Sequence, residues 1–300
     1  MKGKSVFRII SMVIIFILMI LVSINYSQTT TTPAPGDEQN PKWDDLPEWS
    51  LKDFRPFVEG NYGLGIPRQK LFEGEFENFG LFEAKLGYSK VKVYKKFVLG
   101  MDERYFFGSY SNKEQNLMDS EADPGKVKTE MIHFGIGNRL GYGYKIGFIS
   151  LLPYQQTHIT WSKVTSERPE ELSAEDLAIL DRYEGDYHFG LSTEGGVKVE
   201  LFKSVAVTAG YEAAAIYPRF VFFPWLGGII VETFIVGGVS FFAESIVANS
   251  NVLGPLFYAI LRNAAAYGIY LGLKDEMYWP VNSETPLTYE TFKIGLTFTF

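Results

Sequence analysis

The sequence predicts an all-β fold: an antiparallel up-and-down transmembrane β-barrel of about eight strands, with an apolar insertion of helical character before the last strand. Three observations predict it. Apolar and polar residues alternate with period two through most of the chain after Phe54, with aromatics and Gly frequent. Short turns and long polar connections take turns along the sequence. The 300-residue chain stops on an alternating segment that ends in Phe300. Composition narrows the alternatives. With 46% apolar residues the chain is not a disordered one, and with no Cys it holds neither a disulfide scaffold, a thiolate metal site nor a Cys nucleophile. A net charge of −7 argues against a nucleic-acid partner, which needs a basic surface.

The amino terminus has the layout of a secretory signal over residues 1–27. Lys2, Lys4 and Arg8 precede an apolar run from Ile9 to Ile24, and Ser27-Gln28 is the expected processing junction. That run is shorter than the about 20 residues of a bilayer-spanning helix. Its removal takes three cations and no anion, moving the formal charge from −7 to −10. Residues 28–53 read as a periplasmic linker, with Thr29–Thr32 followed by Pro33, Pro35, Pro41 and Pro47.

Residues 54–300 are the expected barrel. Strands are predicted near 54–66, 76–94, 97–111, 127–143, 146–161, 187–201, 205–221 and 289–300. Tyr187, Phe189, Leu191, Val197, Val199 and Leu201 form one face, and His188, Ser192, Glu194, Lys198 and Glu200 the other. Short turns are predicted at Lys95-Lys96, Tyr144-Lys145 and Phe202-Lys203-Ser204. The connections Asn112–Lys126 and Ser162–Asp186 are long and polar, and the second carries a helix capped by Ser173 with Asp176 three residues on. An even strand count with both termini on the turn side lets the barrel close.

Phe292, Ile294, Leu296, Phe298 and Phe300 alternate with Lys293, Gly295, Thr297 and Thr299. This segment resembles the terminal strand of bacterial outer-membrane barrels, and the layout of 54–300 resembles the small eight-stranded barrels of the outer membrane protein A and W kind. The resemblance implies a bacterial outer-membrane location, contact with outer-membrane lipid, and recognition of these five residues by the barrel assembly machinery. It rests on layout and not on a family motif, so it implies a location and a fold without an activity.

Residues 222–288 depart from that layout as a long insertion. Gly227–Val239 and Val252–Leu273 are strongly apolar, and Ala243–Leu273 suits helices. Such an insertion has to cover its apolar face against the lumen mouth, lipid or a partner. A ten-stranded barrel, with Ile229–Phe242 as an extra strand pair, is the competing count. Two inner-membrane helices are a third account; they put Glu232, Glu244 and Arg262 in lipid at about 2.5–3.5 kcal/mol for a central charge.

The polar residues divide into two groups. Glu59, Glu83, Lys85, Asp102, Arg104, Arg139, Glu194, Lys198, Glu200, Glu212 and Lys293 are expected to face the lumen. An eight-stranded barrel is filled by its own side chains, so these charges should pair as a plug, the alternative being a polar conduit. His133, His158 and His188, with Ser192 nearby, are candidates for a lipid-modifying site, since hydrolysis needs a hydroxyl, a base and an orienting acid. A His-rich metal rim is another option; no hydrolase motif or nucleotide-binding loop accompanies these residues, and no metal or cofactor is assigned. The expected function is a non-enzymatic outer-membrane barrel that binds or passes a hydrophobic small molecule, or docks a partner, through residues 222–273. A hydrolase of lipid A or phospholipid and a purely structural barrel are the alternatives.

Overall fold

The computed structural model describes residues 54–300 apart from 96, 119–122 and 203, so the expected export signal (1–27) and the expected linker (28–53) lie outside the described residues. Eight strands close into one antiparallel barrel in chain order. They are β1 (Arg55–Gln69), β2 (Phe79–Lys95), β3 (Val98–Asn112), β4 (Lys128–Ile146), β5 (Ile149–Glu167), β6 (Tyr187–Phe202), β7 (Val205–Ile216) and β8 (Leu287–Thr299). Closure runs from Phe57 opposite Thr299 to Gln69 opposite Leu287. Beyond it, the Phe300 amide donates to the Pro56 carbonyl at 2.9 Å. The period-two pattern fixes which face each residue takes. Phe292, Ile294, Leu296 and Phe298 point outward and remain about half exposed, while Lys293 and Thr297 are buried inside.

The three short turns and both ends of the sheet lie at one end of the barrel. The second turn falls three residues later than the sequence suggested, at Gly147-Phe148. β4 continues through Tyr144 and Lys145 to Ile146, and the chain reverses at Gly147, whose φ of 63° is the left-handed conformation a two-residue hairpin favours. The long connections gather at the opposite end. One carries α1 (Ala174–Asp181), capped as expected by the Ser173 hydroxyl accepting from the Asp176 amide at 3.0 Å. Ile179 and Leu180 of α1, with Tyr183, pack on Phe79, Met131, Leu287 and Tyr289 to close that mouth with an apolar cap. Arg168 fastens the connection. It donates to Asp181 at 2.7 Å and Glu184 at 3.4 Å, and these partners hold its pKa above the ordinary arginine value.

The insertion forms two helices, α2 (Phe222–Asn249) and α3 (Gly254–Asp275), so Ile229–Phe242 is helical and the ten-stranded count is set aside. Its apolar residues show no period-two alternation, and Pro255 sits in the first turn of α3, where its missing N–H costs nothing. The hairpin covers none of the three surfaces expected for it alone; it lies along the outside of its own barrel. At the turn end, Lys95 donates to the Ala248 carbonyl and the Tyr144 hydroxyl to the Val252 carbonyl. At the loop end, Lys274 stands 3.6 Å from Glu290 and Lys70 2.9 Å from Asp275. Between these points α3 packs across β4, β5, β6 and β7. At 1.5 Å per residue α2 is about 42 Å long and α3 about 33 Å, enough to run the height of the barrel.

Candidate functional site

The interior is filled in three layers. The apolar cap lies at the loop end. At the turn end Leu99, Met101, Leu152 and Tyr154 pack together, and a separate cluster of Phe57, Tyr105 and Phe107 meets the middle layer at His158. Between the two lies a belt of ionic side chains with almost no exposure.

Arg139, on β4, is the hub of that belt. Its Nη1 donates to Glu59 Oε2 and to Glu103 Oε2, both at 2.8 Å, and its Nη2 to Glu59 Oε1 at 2.8 Å. Its Nε donates to Gln156 Oε1 at 2.7 Å, and the Tyr154 ring centroid lies 4.5 Å from its guanidinium carbon. Lys198 pairs with the other oxygen of Glu103. Lys293, on β8, is a second hub, 2.6 Å from Glu194, 3.0 Å from Glu212 and 3.2 Å from Glu83. Lys85 links the two, 3.2 Å from Glu83 and 3.3 Å from Glu59. Thr297 and Asn61 also donate to Glu59, Asn61 to Glu83, Ser89 to Glu103 and Tyr154 to Glu194. Five glutamates thus meet four cations in a dry interior. Burying each ion costs several kcal/mol unless it is paired and hydrogen-bonded; every ion here is paired, while Lys85 Nζ meets its two carboxylates without hydrogen-bond geometry.

Eight of the expected lumen charges belong to this network: Glu59, Glu83, Lys85, Arg139, Glu194, Lys198, Glu212 and Lys293. Asp102 and Arg104 do not. Leu99, Met101, Glu103, Tyr105 and Phe107 are the inward residues of β3, so their neighbours point outward, where Arg104 reaches Asp102 at 3.4 Å and Asn138 donates to it at 3.3 Å. Glu103 is the inward acid the sequence reading missed. Glu200 lies half-buried near the turn and makes no ion pair among the described residues.

The histidines do not converge. His133 Nδ1 meets Ser162 Oγ at 2.7 Å, and His188 Nδ1 meets the Tyr217 carbonyl at 3.1 Å. His158 does reach Ser192, Nδ1 to Oγ at 2.7 Å, with Glu212 Oε1 3.3 Å from the same nitrogen. The Ser192 hydroxyl donates to Glu212 at 2.7 Å, and His158 Nε2 meets the Tyr105 hydroxyl at 2.8 Å. All four side chains are buried, so the trio serves as part of the plug. Among the described residues no group of His, Asp and Glu is arranged to hold a metal ion.

The outer wall is divided. On β1 to β4 and β8 it presents Val58, Phe82, Leu86, Phe106, Ile132, Phe134 and the β8 aromatics, all exposed. Under the middle of α3 it is small and polar, while toward the turn end Val98 and Tyr142 pack with Val247 and Tyr258. Gln155 donates to Thr157 at 2.9 Å and to Thr193 at 3.1 Å across the strand pair. Arg262 of α3 donates to Gln155 Oε1 at 3.2 Å and to the Tyr258 hydroxyl at 2.6 Å, and is itself 5% exposed. Asn263 donates to the Tyr154 carbonyl at 3.1 Å over Gly195, where a Cβ would lie 2.4 Å from its Oδ1. The sequence held two parts of this seam, polar Gln155, Thr157 and Thr193 on β5 and β6 and a lone Arg in an apolar insertion, with nothing local to join them.

Fold and site together define a small, closed, eight-stranded barrel with a packed interior. No protein-family model matches the chain, and no curated protein matches it. Solved structures similar to it include the following two. Neisserial surface protein A (NspA) shares 10% identity at a TM-score of 0.35, covering 82% of this chain and 97% of its own. Ail, the attachment invasion locus protein of Yersinia pestis, shares 6% identity at a TM-score of 0.30, covering 83% of this chain and 99% of its own.

Proposed function

We propose that this protein is an integral barrel of the bacterial outer membrane, non-conducting and non-enzymatic, that works through its lateral surface by binding a hydrophobic small molecule beside the α2–α3 hairpin. The observation that carries this reading is the combination of a filled lumen with a helical hairpin laid on the outer wall. The interior charges are spent on one another, which leaves no polar path for a solute. The exposed outer wall is apolar over a band from Val58 to Ile66 on β1 and from Phe298 to Phe292 on β8. Nine residues of tilted strand span roughly 20–25 Å, the height of a barrel's lipid-facing band. The far side of α2 continues that surface with Phe223, Phe234, Phe241 and Phe242. Hydrolysis of lipid A or phospholipid is the weaker reading, because a nucleophile has to reach substrate and Ser192 is sealed inside.

Planar-bilayer recording tests the proposal. The reconstituted chain is expected to give no unitary conductance above the bare bilayer at any moderate voltage. Steady single-channel steps would contradict it and return the conduit reading. Replacing residues 222–275 by a short linker is expected to leave the heat-dependent electrophoretic shift of a folded barrel intact while ligand binding is lost.

A further inference from the structure

A groove of about 650 Å³ opens at the loop end, between the top of β1, the β1–β2 connection and the last turn of α3. Its lining is amphipathic: Ile66, Pro67, Phe72 and Phe76 are apolar, Arg68, Lys70 and Lys274 are cationic, and Glu75 and Asp275 are acidic. The nearby charges are largely matched. Lys70 pairs with Asp275 at 2.9 Å, Glu75 with Lys126 at 2.8 Å, and Glu290 with Lys274 at 3.6 Å while accepting from the Tyr270 hydroxyl. Arg68 is the exception. It is exposed, and its guanidinium makes no hydrogen bond or ion pair with any described residue. Glu290 lies on the same face of the adjoining strand, opposite Ile66 and one outward position from Arg68, but its carboxylate is engaged by α3.

The level of the groove identifies its ligand. On the outer face of β1 the apolar band ends at Ile66 and Arg68 follows it; on β8 the band begins at Phe292, with Glu290 beyond it. Arg68 therefore stands at the border where lipid head groups meet acyl chains, with apolar residues directly below and an unmatched fork of donors above. A guanidinium in that position suits phosphate oxygens through charge-assisted hydrogen bonds, and the apolar lining suits an alkyl chain. We propose that this groove binds a phosphate-bearing amphiphile, the phosphate on Arg68 and the chain along Ile66 on the same outer face of β1. The proposal rests on the reading above that the outer wall faces lipid, and gives the ligand of that reading a chemical class and a place.

Calorimetric titration of the full chain in dodecyl maltoside, with dodecyl phosphate, dodecanol and inorganic phosphate as probes, tests it. Dodecyl phosphate is expected to bind near one to one, about tenfold more tightly than either half alone, and Arg68→Gln to lose about tenfold, as expected for a charge-assisted pair. Ile66→Glu, which sets a carboxylate on the apolar floor, should abolish binding. Both variants lie on exposed positions, and their folding is checked by the heat-dependent mobility shift. Equal affinity of Arg68→Gln and the unmodified chain would overturn the proposal. Tight binding of inorganic phosphate alone would also overturn it, by making this a soluble-anion site. Flotation of the chain with phosphatidylcholine vesicles separately tests whether the wall faces lipid, so a failed ligand and a failed location give different results.

Discussion

Arg139→Leu is expected to destabilise the barrel by about 3–5 kcal/mol, the range for removing one partner of a buried ion pair. The loss is not that of one contact. Arg139 is fully buried and donates to both oxygens of Glu59, to Glu103 and to Gln156. Its removal leaves Glu59 with Lys85 at 3.3 Å as its one remaining cation contact, and Glu103 with Lys198. Arg139→Lys should recover little, because an ammonium lacks the planar fork that holds both oxygens of Glu59 while its other donors reach Glu103 and Gln156. Arg139→Leu combined with Glu59→Gln should be more stable than Arg139→Leu alone, since the second change removes the stranded charge. Urea titration followed by tryptophan fluorescence measures all three. An Arg139→Leu chain within about 1 kcal/mol of the original would mean that water reaches this belt and screens it, against a sealed lumen.

Lys293→Met is expected to cost a similar amount, again about 3–5 kcal/mol, and clearly more than Lys198→Met. The ranking follows from what each cation leaves behind. Lys198 pairs with Glu103, which keeps Arg139 at 2.8 Å. Lys293 serves three carboxylates. Glu83 keeps Lys85 and Glu212 keeps Ser192 and His158, but Glu194 keeps only the Tyr154 hydroxyl at 2.7 Å among its close partners. Side by side, the denaturation midpoints of the two variants measure that difference. Equal midpoints would show that the carboxylates redistribute among the remaining cations and that Lys293 is no hub.

How much of this was legible in the sequence depends on the residue. Alternation reports period, and period was enough for eight strands, for the outward Phe292–Phe298 series and for eight of the interior charges. Phase is harder. Asp102, Glu103 and Arg104 are consecutive, and only the register of β3 against its neighbours decides that the middle one enters the lumen. The β4–β5 turn slipped for a related reason: Tyr144 and Lys145 look like a break, but Gly147 supplies the left-handed backbone that a tight reversal needs. The helix-clad wall was less accessible still. The insertion announced itself by apolar composition, and Arg262 stood out within it. Its partner Gln155 lies 107 residues earlier, in a strand whose outward face had not been distinguished as polar. A contact of that range has no local signature, so the sequence predicted that the hairpin must cover something without showing that it covers the barrel itself.

The central claim, a closed barrel with its helical hairpin fixed along the outer wall, has a direct test. The chain contains no Cys, so an engineered pair reports without background. Gly195 on β6 and Asn263 on α3 are suitable positions, because a Cβ at Gly195 would lie 2.9 Å from Asn263 Cγ, within the short range a disulfide bridges. Gly195→Cys combined with Asn263→Cys, oxidised in membranes and run without reductant, is expected to cross-link nearly completely and to keep the heat-dependent shift of a folded barrel. A chain that keeps that shift but forms no bridge would contradict the account, because the hairpin would then stand away from the wall.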